Sequence, residues 1–150
     1  SDLLSDIRRL SRDSHPYLLE QVGFVRAMEA LMQQSFEGMK IEYSCHIEAI
    51  ESPASQQRLY RITQECIHNT LKHADATECL LVVQRVAEKV DAGGAYQYLY
   101  KDDGCGFDMR RNNGHEGVGL TSIYERVSIL NGHCKITSAP GAGVSVIIII

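Results

Sequence analysis

Apolar residues recur at helical spacing through the first part of the chain, then give way to alternation. Leu3, Leu4, Ile7 and Leu10, with Arg8, Arg9 and Arg12 between them, predict a short amphipathic helix over 2–13. Pro16, after His15, suits the first turn of a second helix. That helix is expected to reach about Gln34, with Leu18, Val22, Val25, Met28, Leu31 and Met32 on its apolar face. Alternation from Ile41 to Ile47 predicts a half-buried strand. Ser52 or Ser55 is a candidate cap for a helix over about Gln56 to Ala74. Residues 79–90 and Tyr96 to Lys101 read as two strands, joined by a turn at Asp91 to Gly94. Asp102 to Gly119 is polar and glycine-rich, a loop long enough to carry function. A helix over Leu120 to Leu130 stops at Asn131 and Gly132. The segments 133–138 and 143–150 make a hairpin around Pro140 to Gly143. This order predicts an α/β (α+β) chain: a two-layer sandwich with a mixed sheet and helices on one face.

Composition narrows the picture. A length of 150 residues fits one domain, and 44% hydrophobic with 23% charged residues is an ordinary globular balance. A formal net charge of −4 shows no global basic excess of the kind a nucleic-acid face wants, so no nucleic-acid partner is expected. The five cysteines form no CxxC pair, which argues against a disulfide framework or a zinc site. Most sit among apolar residues and read as core fillers in a reducing compartment. No signal peptide is visible, and no apolar run has membrane-spanning length. A cytoplasmic location without direct membrane contact is the expectation. The chain starts and stops inside regular patterns, as a fragment of something longer would.

The candidate chemistry begins on helix 56–74. At ~100° per residue, Leu59, Ile62, Cys66, Thr70, Leu71 and Ala74 share one face. Glu65, Asn69, Lys72 and His73 form a polar stripe beside it, and His68 points to solvent. Asn69 offers an amide oxygen, a hard ligand suited to Mg²⁺. Glu65 can act as a base or accept from a metal-bound water. Lys72 and His73 can meet phosphate oxygens. Taken alone, the stripe reads first as a solvated helix face with i,i+4 polar pairs.

Two glycine motifs follow. Asp102 to Phe107 (Asp-Asp-Gly-Cys-Gly-Phe) leaves a strand, and Gly104 and Gly106 permit positive φ and close approach of the backbone. The Asp102 carboxylate can accept from an exocyclic amine such as that of adenine, or simply close an Asx-turn. Gly117, Gly119 and Leu120 lead into a helix whose N-terminal amides can face a phosphate. The bland reading is a capped helix with a glycine hinge. Neither motif decides alone; the order helix with Glu-x-x-x-Asn, strand with Asp-x-Gly-x-Gly, polar loop, Gly-x-Gly, helix does.

In that order the sequence resembles the GHKL ATPase superfamily, and more narrowly the ATP-binding domain of two-component sensor histidine kinases. Residues 64–74 look like the N box, 102–107 the G1 box and 117–120 the G2 box. The Glu and His-Ala of the N box and the short lid are similar to the nitrate-sensor-like subfamily. The resemblance covers about 40–150 and implies a Bergerat-type fold, Mg²⁺ on Asn69, Glu65 as the acidic residue of the N box with a catalytic role in activating or orienting, and Lys72 and His73 near the phosphates. It also implies that Asp102 holds the adenine amino group and that Gly104 and Gly106 let base and lid approach. A lid over 108–117 would close on Gly117 and Gly119, with Arg110 and Arg111 on it. The family often carries Thr where this chain has Val144. No phosphoacceptor box is present, and His15 reads as a linker or capping histidine. Residues 1–15 would end a dimerisation helix and linker, and 16–150 would be the ATP-binding domain. The implied partners are the phosphoacceptor helices of the full-length protein, which would be a homodimer, and a response regulator. The alternatives are an anti-sigma-type serine kinase, against which segment 2–13 argues, and a degenerate interaction module, against which Asn69, Asp102 and the glycines argue.

Overall fold

The computed structural model describes residues 15–36, 38–45, 52–86, 96–110 and 118–150. The expected helix 2–13, the turn 91–94 and lid residues 111–117 lie outside these.

Instead of one helix up to Gln34, the chain forms two: α1 (His15–Val22) and α2 (Phe24–Ser35). Gly23 separates them at φ 83, ψ 166, a region essentially reserved for glycine. The apolar periodicity runs across the break, so periodicity alone could not reveal it. An added Cβ at Gly23 would meet nothing within 4 Å. Gly23→Ala should therefore cost conformational strain alone, about 1–3 kcal/mol, measurable by urea unfolding; an unchanged midpoint would show that the break needs no glycine.

Strand β1 (Lys40–Cys45) is followed by α3 (Pro53–Asn69), a π-helical turn (Thr70–Ala74) and β2 (Glu78–Arg85). Ser52, not Ser55, caps α3: its hydroxyl accepts from the Ser55 amide at 3.4 Å, with Pro53 in the first turn. Then come β3 (Tyr96–Asp102), α4 (Val118–Ile129), β4 (His133–Ser138) and β5 (Val144–Ile149). Asn131, at φ 55, ends α4 in the left-handed conformation, and the Gly132 amide returns to the Val127 carbonyl.

The five strands lie in the order β1-β2-β3-β5-β4. β1 and β2 are parallel, as a crossover through α3 requires, and the other pairs are antiparallel. Alternation puts every second residue on the covered face. Register aligns Tyr43, Leu81, Tyr100, Val146 and Ile136 in one row across the sheet. The row toward the site contains Ile41, Cys79, Asp102, Val144 and Ser138. Onto this face pack Phe24, Ala27, Met28 and Met32 of α2, Leu59, Ile62, Cys66 and Ile67 of α3, and Ile123 and Val127 of α4, in one core. The two-layer mixed α/β sandwich is as the pattern predicts. Cys66 and Cys79 are buried in it and burial raises both thiols, Cys79 up to about 12; Cys105 is exposed. Among the described residues no helix is long and apolar enough to cross a membrane.

Candidate functional site

Helix α3 lies along β3, and two threonine–tyrosine pairs fix how. Thr63 Oγ1 meets the Tyr98 hydroxyl at 2.8 Å, and two helical turns later Thr70 Oγ1 meets the Tyr100 hydroxyl at 2.7 Å. The end of α3 is thereby brought to the end of β3, where Asp102 sits. Asn69, the last residue of α3, immediately precedes this junction.

Here the chain leaves regular helix. The Thr70 amide is shared between the carbonyls of Cys66 and Ile67, and 70–74 continue as a π turn ended by Asp75 at φ 47. Leu71, expected on the apolar face, is 42% exposed; at ~100° per residue it stands about 140° round the helix from Cys66, at the margin of that face. Thr70 stays buried, but as a hydrogen-bonding group rather than an apolar one. Glu65 and Asn69 are half-buried and Lys72 is exposed, as a stripe at the rim of the packed face would be. His68 is exposed, as the wheel indicates. His73 has its backbone in the π turn; its side chain lies outside the described residues.

Asp102 is 3% exposed and its carboxylate is divided between two tasks. Oδ1 accepts from the amides of Gly104 at 3.0 Å and Val144 at 3.3 Å. Oδ2 accepts from the Thr70 hydroxyl at 2.9 Å. The Gly104 contact is an Asx-turn, so the bland reading of this motif is correct, yet it occupies only one oxygen. An ionised carboxylate has about four lone-pair sites, which leaves capacity on Oδ2 for a ligand donor. Val144, in place of threonine, contributes through its backbone.

Asp103, which sequence reasoning passed over, ties the motif to the start of β2. Its Oδ1 accepts from the amides of Thr77 and Glu78, both at 2.8 Å, and Oδ2 from the Thr77 hydroxyl at 2.6 Å. These bonds, the Thr77 hydroxyl first, hold its pKa below the ordinary value. A depressed folded-state pKa means that the contribution is complete above the unfolded value, about 3.9, and is lost as pH falls through the folded one. Asp103→Asn can keep the amide contacts but not the titration. Its urea midpoint should approach that of the wild type as pH drops below about 4, and a constant gap from pH 6 to 2.5 would contradict this.

Gly106, and not Gly104, takes the positive φ, at 62°. An added Cβ there would run into the Ala139 carbonyl oxygen. The Phe107 amide donates to Ser138 Oγ at 2.9 Å and the Gly141 amide to the Cys105 carbonyl at 2.6 Å, so the whole motif is clamped on the β4–β5 turn. That turn is of type II, with Pro140, then Gly141 at φ 77, and Ala142 donating to Ala139. Helix α4 begins at Val118 rather than Leu120, so Gly119 lies in its first turn; Gly117 lies outside the described residues. First-turn amides need no helical acceptor, which is why a glycine there does not delay the helix. Leu120 is half-buried against the core. Asp108 Oδ1 accepts from the Arg110 amide at 2.9 Å, a local turn; Arg111 lies outside the described residues.

The architecture and the order of these features have known counterparts. The model of histidine kinase-, DNA gyrase B- and HSP90-like ATPases matches residues 54–150. The sensor histidine kinase ComP of Bacillus subtilis is 33% identical over 147 residues, 95% of this chain and 18% of its own length. The sensor histidine kinase MctS of Rhizobium johnstonii is 31% identical over 142 residues, 91% of this chain and 29% of its own length. The chain thus spans less than a third of either relative. The blue-light activated histidine kinase EL346 of Erythrobacter litoralis superposes with a TM-score of 0.71 at 16% identity, over 97% of this chain and 49% of that one, which shows the shared fold. With the family match over well more than half its length, the chain belongs to the histidine kinase-, DNA gyrase B- and HSP90-like ATPases.

Proposed function

We propose that the chain is the ATP-binding catalytic domain of a sensor histidine kinase, of the nitrate-sensor-like subfamily. It binds Mg²⁺-ATP and presents the γ-phosphate to a histidine on dimerisation helices of the full-length, homodimeric protein, for relay to a response regulator. The observation that carries this is the placement of Asp102: a buried carboxylate with one oxygen used by the backbone and the other retaining a lone pair, next to the end of the Glu65–Asn69 helix. The relatives' names and their match over nearly the whole chain support the same reading over a serine kinase or a degenerate module.

In this reading Asp102 accepts from the adenine amino group, and Gly104 and Gly106 admit the base. The amides that open α4 around Gly119 and Leu120, with Gly117 before them, face phosphate oxygens. Lys72 and His73 meet the phosphates from the helix side. Asn69 suits Mg²⁺: a single hard oxygen fits a cation that takes one or two protein ligands beside substrate phosphates and water. When bound, the ion neutralises charge on the phosphoryl oxygens. Glu65, half-buried one turn before Asn69, orients or activates the attacking group. The chain's own contribution is positioning and electrostatics.

Calorimetric titration tests this. Asn69→Ala should weaken Mg²⁺-ATP binding on the order of tenfold or more, and chelation of Mg²⁺ should bring the wild type to the same level. Equal binding by variant and wild type with Mg²⁺ present would remove Asn69 from the role. With Mg²⁺-ATP the chain should phosphorylate its own dimerisation helices added in trans; phosphohistidine formed on the isolated chain would contradict the placement of the phosphoacceptor outside it.

A further inference from the structure

Asp102 is held by a chain of hydroxyls that runs through the core. The Thr70 hydroxyl has one proton and two acceptors within reach, the Cys66 carbonyl at 3.0 Å and Asp102 Oδ2 at 2.9 Å. The Tyr100 hydroxyl stands 2.7 Å from Thr70 Oγ1. A donor facing a carboxylate gains more than one facing a neutral carbonyl. Thr70 therefore donates to Asp102 and accepts from Tyr100. Each bond in such a chain polarises the next. Burial raises the Tyr100 pKa well above its ordinary value, so its proton stays in place.

We propose that Thr70 and Tyr100 are positioning residues for base selection. By filling one Oδ2 lone pair of Asp102 and fixing the carboxylate plane, they leave a single acceptor direction that fits the 6-amino group of adenine and repels a 6-oxo purine. Neither hydroxyl has to touch the nucleotide. The proposal rests on the ATP-binding reading above.

The fold supplies its own control. Thr63 and Tyr98 form the same buried pair two turns earlier, at 2.8 Å, but there the Thr63 hydroxyl has the Leu59 carbonyl, also at 2.8 Å, and no carboxylate. Removing that pair perturbs the same helix–sheet interface without touching Asp102.

The test compares the affinities of ATP and inosine triphosphate, which carries a carbonyl in place of the amino group. Thr70→Val should weaken ATP about tenfold while inosine triphosphate changes by less than about twofold, the loss of one charge-assisted contact. Tyr100→Phe should move the ratio the same way by about threefold, as the next bond along the chain. Thr70→Ser, which keeps the hydroxyl, should restore the wild-type ratio. The double variant Thr70→Val with Tyr100→Phe should be no worse than Thr70→Val, because both act through one path. Thr63→Val should lower the melting temperature and leave the ratio unchanged. An unaltered ratio in Thr70→Val, or an equal shift in Thr63→Val, overturns the proposal. If Thr70→Val does not fold, Tyr100→Phe, which deletes one oxygen, decides by the same criterion. Wild-type chain that binds neither nucleotide overturns the ATP-binding reading itself, and so differs from a failure of this inference alone.

Discussion

Asp102→Asn should reverse the nucleotide preference proposed for the chain, from ATP to inosine triphosphate. The asparagine oxygen can still accept from the amides of Gly104 and Val144, which Oδ1 of the aspartate does at 3.0 and 3.3 Å. Its amino group then stands where Oδ2 stood and, in the proposed site, would face the adenine amino group, donor against donor. A 6-oxo purine would find a donor there instead. Thr70 can accommodate the change, since its proton has a second acceptor in the Cys66 carbonyl at 3.0 Å. Stability should therefore fall by only about 1 kcal/mol. ATP affinity should fall roughly 100-fold, the loss of a bond to a charged group plus a buried unpaired donor. Asp102→Ala behaves differently: two backbone amides lose their acceptor at a site 3% exposed. That should cost about 3 kcal/mol, a fall in Tm of roughly 6–12 °C. Calorimetric titration with both nucleotides, beside thermal melts, separates the two effects. An Asp102→Asn variant that still prefers ATP would remove this carboxylate from base recognition.

The second large effect belongs to a residue that touches no ligand in the proposed site. Gly143 has φ 70, and an added Cβ would run into the carbonyl oxygen of Asp102 and crowd Asp103 Cα. Those atoms belong to the end of β3, which is paired with β5 on one side and β2 on the other and cannot yield. Gly143→Ala combines left-handed strain of about 1–2 kcal/mol with a backbone collision, and should destabilise by about 4 kcal/mol or more. Gly141, on the same turn at φ 77, has nothing within 4 Å of an added Cβ. Gly141→Ala should cost about 1–2 kcal/mol. Urea unfolding of the two variants isolates the collision from the strain. Equal losses would mean that the β4–β5 turn is free to move away from Asp102, and the clamp described for this motif would not exist.

The sequence by itself determined the elements whose signal is local. Alternation placed β1, runs of strand-forming residues bounded by turns placed β2, β3 and β5, and side-chain period places Tyr98, Tyr100 and Asp102 on the same face. The helical wheel put Leu59, Ile62 and Cys66 inward and Glu65 and Asn69 at the rim, and the order of polar stripe and glycine motifs pointed to the family. Where one pattern served two structures, local reading failed. The apolar stripe of α1 and α2 passes through Gly23 without a break, and Leu71, counted with the apolar face of α3, lies exposed in the π turn.

Only the tertiary structure decided what Asp102 does. The Asx-turn to Gly104 is local and was legible as an alternative; the contacts from Thr70 and Val144 join residues 32 and 42 positions away. Wheel geometry put Thr70 on the buried side, and a buried hydroxyl needs a partner, which was the available signal; which partner depends on strand register and on how α3 lies across β3. The same holds for Asp103, whose acceptors' donors come from 25 and 26 residues upstream, and for Gly143, whose need for glycine comes from the Asp102 carbonyl. Hydrophobic period is a property of one segment and survives in the sequence. Hydrogen-bond pairing and steric contact between segments depend on where the fold brings them, and those contacts set the surroundings of Asp102.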